Sequence, residues 1–172
     1  MEHARAGSSW HALWKKLKIH DPYLVADFFI VFSRFEYALK RSGYLRRDTD
    51  DALPDWHAFG AKDENKRRFN SDTSAELKQA VEYLVTHPPE KQIRTSRDSF
   101  KYERKPLGGQ RGLHETVLAI KRIRNNLFHG GKFPDGHVED PARDTNLLHN
   151  SLAVLDHIIE LDDRVKNAFW EP

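Results

Sequence analysis

Val25, Phe28, Phe32, Phe35 and Leu39 recur at steps of three and four, and Leu24, Phe29 and Val31 widen the stripe they form. An α-helix sets such residues on one side, because each residue turns the chain by about 100°. Asp21-Pro22 supplies the start, an N-cap residue followed by proline at the first helical position, and Gly43 supplies the stop. A helix this apolar belongs at the centre of a core or must be covered on both sides.

The same grammar recurs along the chain. Thr73-Ser74-Ala75-Glu76 fits a capping box ahead of Leu77, Ala80, Val81, Leu84 and Val85, and Pro88-Pro89 stops that helix. Leu113, Val117, Ile120, Ile123 and Leu127 mark another, ended by Gly130-Gly131. Leu148, Leu152, Leu155 and Ile159, broadened by Leu147, Val154, Ile158, Leu161 and Val165, predict one final long helix. Trp10, Leu13, Trp14 and Leu17 predict a short amphipathic helix at the N-terminus.

No stretch alternates at period two for long enough to make a strand. Residues 90–112 are therefore expected to be a charged loop, as are residues 44–71, apart from a short helix from Pro54 that carries Trp56 and Phe59 inward. The expected fold is all-α: a bundle of four to five main helices with long charged loops. The expected organisation is an amphipathic arm over residues 1–20 and a single domain over residues 21–172.

At 172 residues, 38% of them hydrophobic, the chain has the size and composition of one folded domain. It has no Cys, which excludes disulfides, thiol nucleophiles and thiolate metal sites and fits a reducing cytoplasm. The densest apolar run, residues 24–32, is too short to span a bilayer, so no membrane partner is expected.

A net charge of only +2 leaves nucleic-acid affinity to a local patch. Between Lys91 and Arg111 seven basic residues face two acids, with Phe100 and Tyr102 interleaved. Such a segment can grip single-stranded nucleic acid through phosphates and stacked bases, or be an ordinary solvated loop. The stretch Gly108-Gly109-Gln110-Arg111-Gly112 lacks the Gly-Lys-Ser/Thr ending of a phosphate loop and follows no strand, so it reads as a helix start. Ten His residues raise the question of a metal. His114-Glu115 lacks the second His of a zincin helix, His149 and His157 lie two turns apart, and His137, Glu139 and Asp140 share a turn, so no metal or other cofactor is expected.

The chemistry-bearing cluster is Arg124-Asn125-Asn126-Leu127-Phe128-His129, followed by Gly-Gly-Lys. Asn125 and His129 are four apart and stack on one side of a helix, where an amide can fix an imidazole tautomer. Arg124 falls on or beside the apolar stripe and needs a partner there. The cluster has a purely structural reading too, with His129 as the cation that favours a helix C-terminus and Gly130 as its cap. Its chemical reading is proton transfer by imidazole and charge stabilisation by guanidinium, which together suit cleavage of an RNA phosphodiester.

The RNxxxH spacing, with a polar residue directly after the Arg, resembles the Arg-x4–6-His motif of the HEPN superfamily, and the Gly-Gly-Lys that follows is similar to stand-alone bacterial and mobile-element members. Its position agrees, closing a late helix that one further long helix follows. The resemblance covers residues 21–165. It implies a helical bundle that forms a homodimer, joins two copies of the motif across a cleft, and acts as a metal-independent endoribonuclease. Toxins held by an antitoxin or other regulatory protein, phage-defence effectors and RNA-processing factors all belong to that class. Non-catalytic HEPN modules for dimerisation or for RNA or protein binding are the alternative.

Carried onto this chain, the resemblance makes His129 the acid/base and Arg124 the phosphate ligand. Asn125 orients His129 or the substrate, and Asn126 supports them. Glu36 is a candidate supporting acid that pairs with Arg124; it can also be a solvated carboxylate beside Lys40. Lys121, Arg122 and Lys132 flank the motif, and Lys105 and Arg111 precede its helix, as candidate holders of the RNA backbone or as solvated surface.

Overall fold

The computed structural model describes residues 21–103, 105–107, 112–128 and 141–171. The expected arm over residues 1–20 lies outside the described residues. In chain order the elements are α1 (Pro22–Arg41), α2 (Trp56–Ala61), α3 (Asp63–Ser71), α4 (Ala75–Thr86), β1 (Lys91–Arg94), β2 (Phe100–Glu103), α5 (Leu113–Phe128), α6 (Pro141–Ile158), a 3-10 turn (Ile159–Leu161) and α7 (Asp163–Trp170). The fold is mostly helical. Among the described residues no helix is long and apolar enough to cross a membrane.

α1 begins and ends where the sequence signals it. Asp21 accepts from Leu24 N at 3.0 Å, and Gly43, at φ +86°, takes the left-handed conformation just past the C-cap Ser42. Leu24, Phe28, Phe32, Phe35, Ala38 and Leu39 are buried along its inner side. α6 and α7 pack against it, while α4 packs on α5 and α6, and α2 packs on α5. Val117, Ile120 and Ile123 of α5 and Val154, Leu155 and Ile158 of α6 complete the core. Each such side chain contributes on the order of 1.5–3 kcal/mol by leaving water.

Three expectations change. The predicted final long helix is two helices. Asp162 interrupts it by accepting from Arg164 N at 3.0 Å as the N-cap of α7. Its other carboxylate oxygen accepts from the Tyr44 hydroxyl at 2.6 Å and the Lys62 ammonium at 2.8 Å. Arg34 then closes the far end of α7, donating to the carbonyls of Phe169 at 2.7 Å and Ala168 at 3.1 Å.

The segment 44–71 is not mainly loop, since α2 and α3 occupy its second half. The polar helix α3 buries little beyond Phe69 and Asn65, whose amide donates to Phe59 O at 3.0 Å, so periodicity alone could not reveal it. The first half folds back on itself, with Arg46 N donating to Leu53 O and Asp55 N to Tyr44 O.

The mostly helical fold fits the all-α expectation, but the charged loop expected over residues 90–112 contains β1 and β2, an antiparallel hairpin with Lys91 opposite Glu103 and Arg94 opposite Phe100. Thr95 N donates to Ser99 O at 3.0 Å to close its loop. Strands this short hold too few residues for a period-two pattern to stand out. A smaller shift concerns α4, whose cap is Ser74, accepting from Leu77 N, and not Thr73.

Candidate functional site

α5 carries the candidate motif on its last turns. Leu113, Val117, Ile120 and Ile123 seat one side of this helix in the core. Arg124, next along the chain, is thereby turned toward α1. Its guanidinium carbon lies 5.6 Å from the centre of the Phe32 ring, and its Nη2 is 3.9 Å from Glu36 Oε2. Its Nη1 donates to Asn125 Oδ1 at 3.2 Å. The Arg124 side chain keeps about a third of its surface in water, 34%, so a dissolved phosphate can reach it.

Glu36 is held in turn. The indole Nε1 of Trp56 donates to Glu36 Oε1 at 3.0 Å, and the Trp56 ring stacks on Phe32 with centroids 5.1 Å apart. A chain of contacts thus runs from buried Trp56 through Glu36 to Arg124 and Asn125. Glu36 engages Arg124 in place of the solvated pairing with Lys40. Trp56 and Phe32 are the members that the motif itself did not announce. Both were legible only as inward-facing aromatics, because nothing in the chain says which polar group a buried indole will meet.

Asn126 does something other than line the site. Its Nδ2 donates to the backbone carbonyl of Glu90 at 2.8 Å, tying α5 to the start of the hairpin. Arg122 donates to Lys105 O at 2.6 Å, just beyond the other end of the hairpin. Burial lowers the Arg122 pKa. Lys121 is half-buried on α5, and the Lys105 side chain is exposed. His129, Lys132 and Arg111 lie outside the described residues, as do His137, Glu139 and Asp140. In sequence, His129 directly follows Phe128, the last residue of α5. Among the described residues no group of three His, Asp or Glu side chains is arranged to hold a metal ion.

The assembled groups are a cation steered by a carboxylate, an aromatic face and an amide, at the end of a helix rooted in the core. Such an arrangement can hold a phosphate in a set orientation, since a guanidinium fork meets phosphate oxygens in two directions. No protein-family model, no curated protein and no solved structure matches the chain.

Proposed function

We propose that this chain is a metal-independent endoribonuclease of the HEPN type, working as a homodimer whose two Arg124/Asn125/His129 sets share one cleft. The observation that carries the reading is the placement of Arg124. It is steered by Glu36, Phe32 and Asn125, one helical turn and a residue ahead of His129 in sequence. An Arg kept only for solubility needs no such set of neighbours.

In the reaction, His129 removes the proton of a ribose 2′-hydroxyl. The freed oxygen attacks the adjacent phosphorus, and the bond to the 5′-oxygen of the next nucleotide breaks. A proton returned by imidazole, from the same or the second copy, leaves a 5′-hydroxyl and a 2′,3′-cyclic phosphate. Arg124 stabilises the charge that builds on the phosphoryl oxygens. Asn125, already bonded to Arg124, holds the guanidinium in its orientation.

α1 supplies a surface for the second copy. Tyr23, Ala26, Ile30, Ser33 and Tyr37 follow one another at steps of three and four on its outer side and are all exposed, Ile30 by 61%. Antiparallel pairing of two such stripes about a two-fold axis through Ile30 sets Ile30 against its own copy and buries the stripe. Glu36 borders this stripe, so the two-fold turns both Arg124 groups to the same side of the helix pair.

The test is incubation of pure protein with labelled single-stranded and transfer RNA in EDTA, beside Arg124→Ala and His129→Ala. Cleavage that leaves 2′,3′-cyclic ends and vanishes in both variants supports the nuclease. RNA left intact by a folded dimer moves the assignment to a binding module.

A further inference from the structure

We propose that the β1–β2 hairpin is a platform for single-stranded RNA that leads the strand to Arg124, an inference that rests on the nuclease reading and names how its substrate is held.

An isolated two-stranded hairpin is marginally stable in water, so one that stands against a helix bundle with an exposed side needs fixing to the bundle. Here it is fixed at both ends to α5. Asn126 holds Glu90 O, just before β1, and Arg122 holds Lys105 O, just after β2. Those two residues bracket Arg124 by two positions on either side. The hairpin is therefore tied to the same two turns of α5 that carry the candidate phosphate ligand.

The register decides what the hairpin displays. Antiparallel partners share a side of the ladder and alternate along it, so Gln92, Tyr102, Arg94 and Phe100 lie on one side. Phe100 is 59% exposed, with its ring edge-on to Tyr102 at 6.1 Å. Gln92 Nε2 donates to the Tyr102 hydroxyl at 2.7 Å and fixes that ring. An exposed aromatic beside a held one, with a guanidinium directly across the ladder, offers a stacking face and a phosphate contact at adjacent positions.

Charge points the same way. Lys91, Arg94, Arg97 and Lys101 face only Asp98 and Glu103, four cations less two anions giving +2, the same net charge as the whole 172-residue chain. Lys101 is already paired with Glu103 at 3.6 Å. Arg94 and Arg97, exposed at the far end of β1 and in the loop, are left as the cations best placed for a backbone. A protein ligand adding a strand would use the backbone of a hairpin edge; the side chains displayed here are those that suit bases and phosphates.

The decisive measurement is fluorescence anisotropy with a labelled 2′-O-methyl single strand of about twelve nucleotides, within the range such platforms cover. This strand cannot undergo 2′-hydroxyl attack, so binding is read whether or not the protein cleaves. Phe100→Ala is expected to weaken binding about tenfold. Phe100→Tyr should keep the affinity, and Phe100→Leu should lose it as Ala does, because the leucine is apolar but cannot stack. Arg94→Ala should flatten the dependence of log Kd on log salt by about one. Circular dichroism should be unchanged, since both side chains are exposed. Wild-type affinity in Phe100→Ala and Arg94→Ala, wild-type affinity in Phe100→Leu, or equal affinity for duplex and single strand would each overturn the proposal. Tight, Phe100-dependent binding without cleavage of ordinary RNA would sustain the platform and remove the nuclease.

Discussion

The indole nitrogen of Trp56 donates to Glu36 Oε1 at 3.0 Å, and the other oxygen of the same carboxylate faces Arg124. One carboxylate thereby converts the rigidity of a buried aromatic into the orientation of a solvent-accessible cation. Trp56 lies within the core against Phe32 and Phe35, so its donor direction is set by packing.

Glu36→Gln retains an acceptor for the indole and removes the charge facing Arg124. Single-turnover RNA cleavage is expected to fall about tenfold, roughly 1.4 kcal/mol of barrier. Unfolding by urea should change by no more than about 0.5 kcal/mol. Cleavage at the wild-type rate would remove Glu36 as a positioning residue.

Trp56→Phe keeps an aromatic ring against Phe32 but deletes the N–H donor and some volume. Stability should drop by about 2 kcal/mol. Cleavage should fall with it under conditions where the variant is fully folded. A stable variant that cleaves normally would show that Glu36 finds its orientation without the indole.

Asp162 carries a pH signature. Burial pushes its carboxyl pKa up, but hydrogen bonds from Arg164, Lys62 and Tyr44 outweigh burial and hold it well below the usual carboxylate range. A depressed folded pKa means stabilisation that is complete above the unfolded value of about 3.9 and fades as pH falls below it. Asp162→Ala should cost about 3 kcal/mol at pH 7, because the Lys62 ammonium and the Tyr44 hydroxyl lose their acceptor. Urea midpoints should show that difference narrowing below about pH 4, and a constant difference would refute an ionic origin.

Gly60 marks the close approach of α2 to α5. A Cβ there would lie 3.0 Å from the His114 Cα and 3.2 Å from Val117 Cγ2. Gly60→Ala is expected to destabilise by about 1–3 kcal/mol, because backbone cannot yield as a flexible side chain does. Differential scanning calorimetry provides the check, with an unchanged Tm counting against close packing of these helices.

The outer stripe of α1 can be tested apart from chemistry. Ile30→Asp places a charge at the centre of the proposed pairing surface, at a position exposed in the single chain. Sedimentation should show a dimer for the wild type and a monomer for the variant, with subunit unfolding altered by less than about 0.5 kcal/mol. Equal sedimentation of the two proteins would move the interface elsewhere.

Local signals determined α1, α4 and α5. Their apolar periods lie within one stretch of chain, and helical hydrogen bonds join residues only four apart. The inward placement of Phe28, Phe32, Phe35, Trp56 and Phe59 was legible for the same reason. The Arg124–Asn125 neighbourhood, lying within a single helical turn, was legible as a cluster but not as a contact network.

Tertiary structure alone decided the rest. The break at Asp162 is reinforced by Tyr44 and Lys62, more than ninety residues away in sequence, so a continuous apolar period across 147–165 conceals it. The hairpin owes its place to Asn126 and Arg122 of a later helix. Glu36 could have faced Lys40 within its own helix; packing of Trp56 and α5 beside it turned it to Arg124 instead. Short-range geometry is written in the order of the residues, whereas the partner of a polar group is whichever distant side chain the packed core brings within reach.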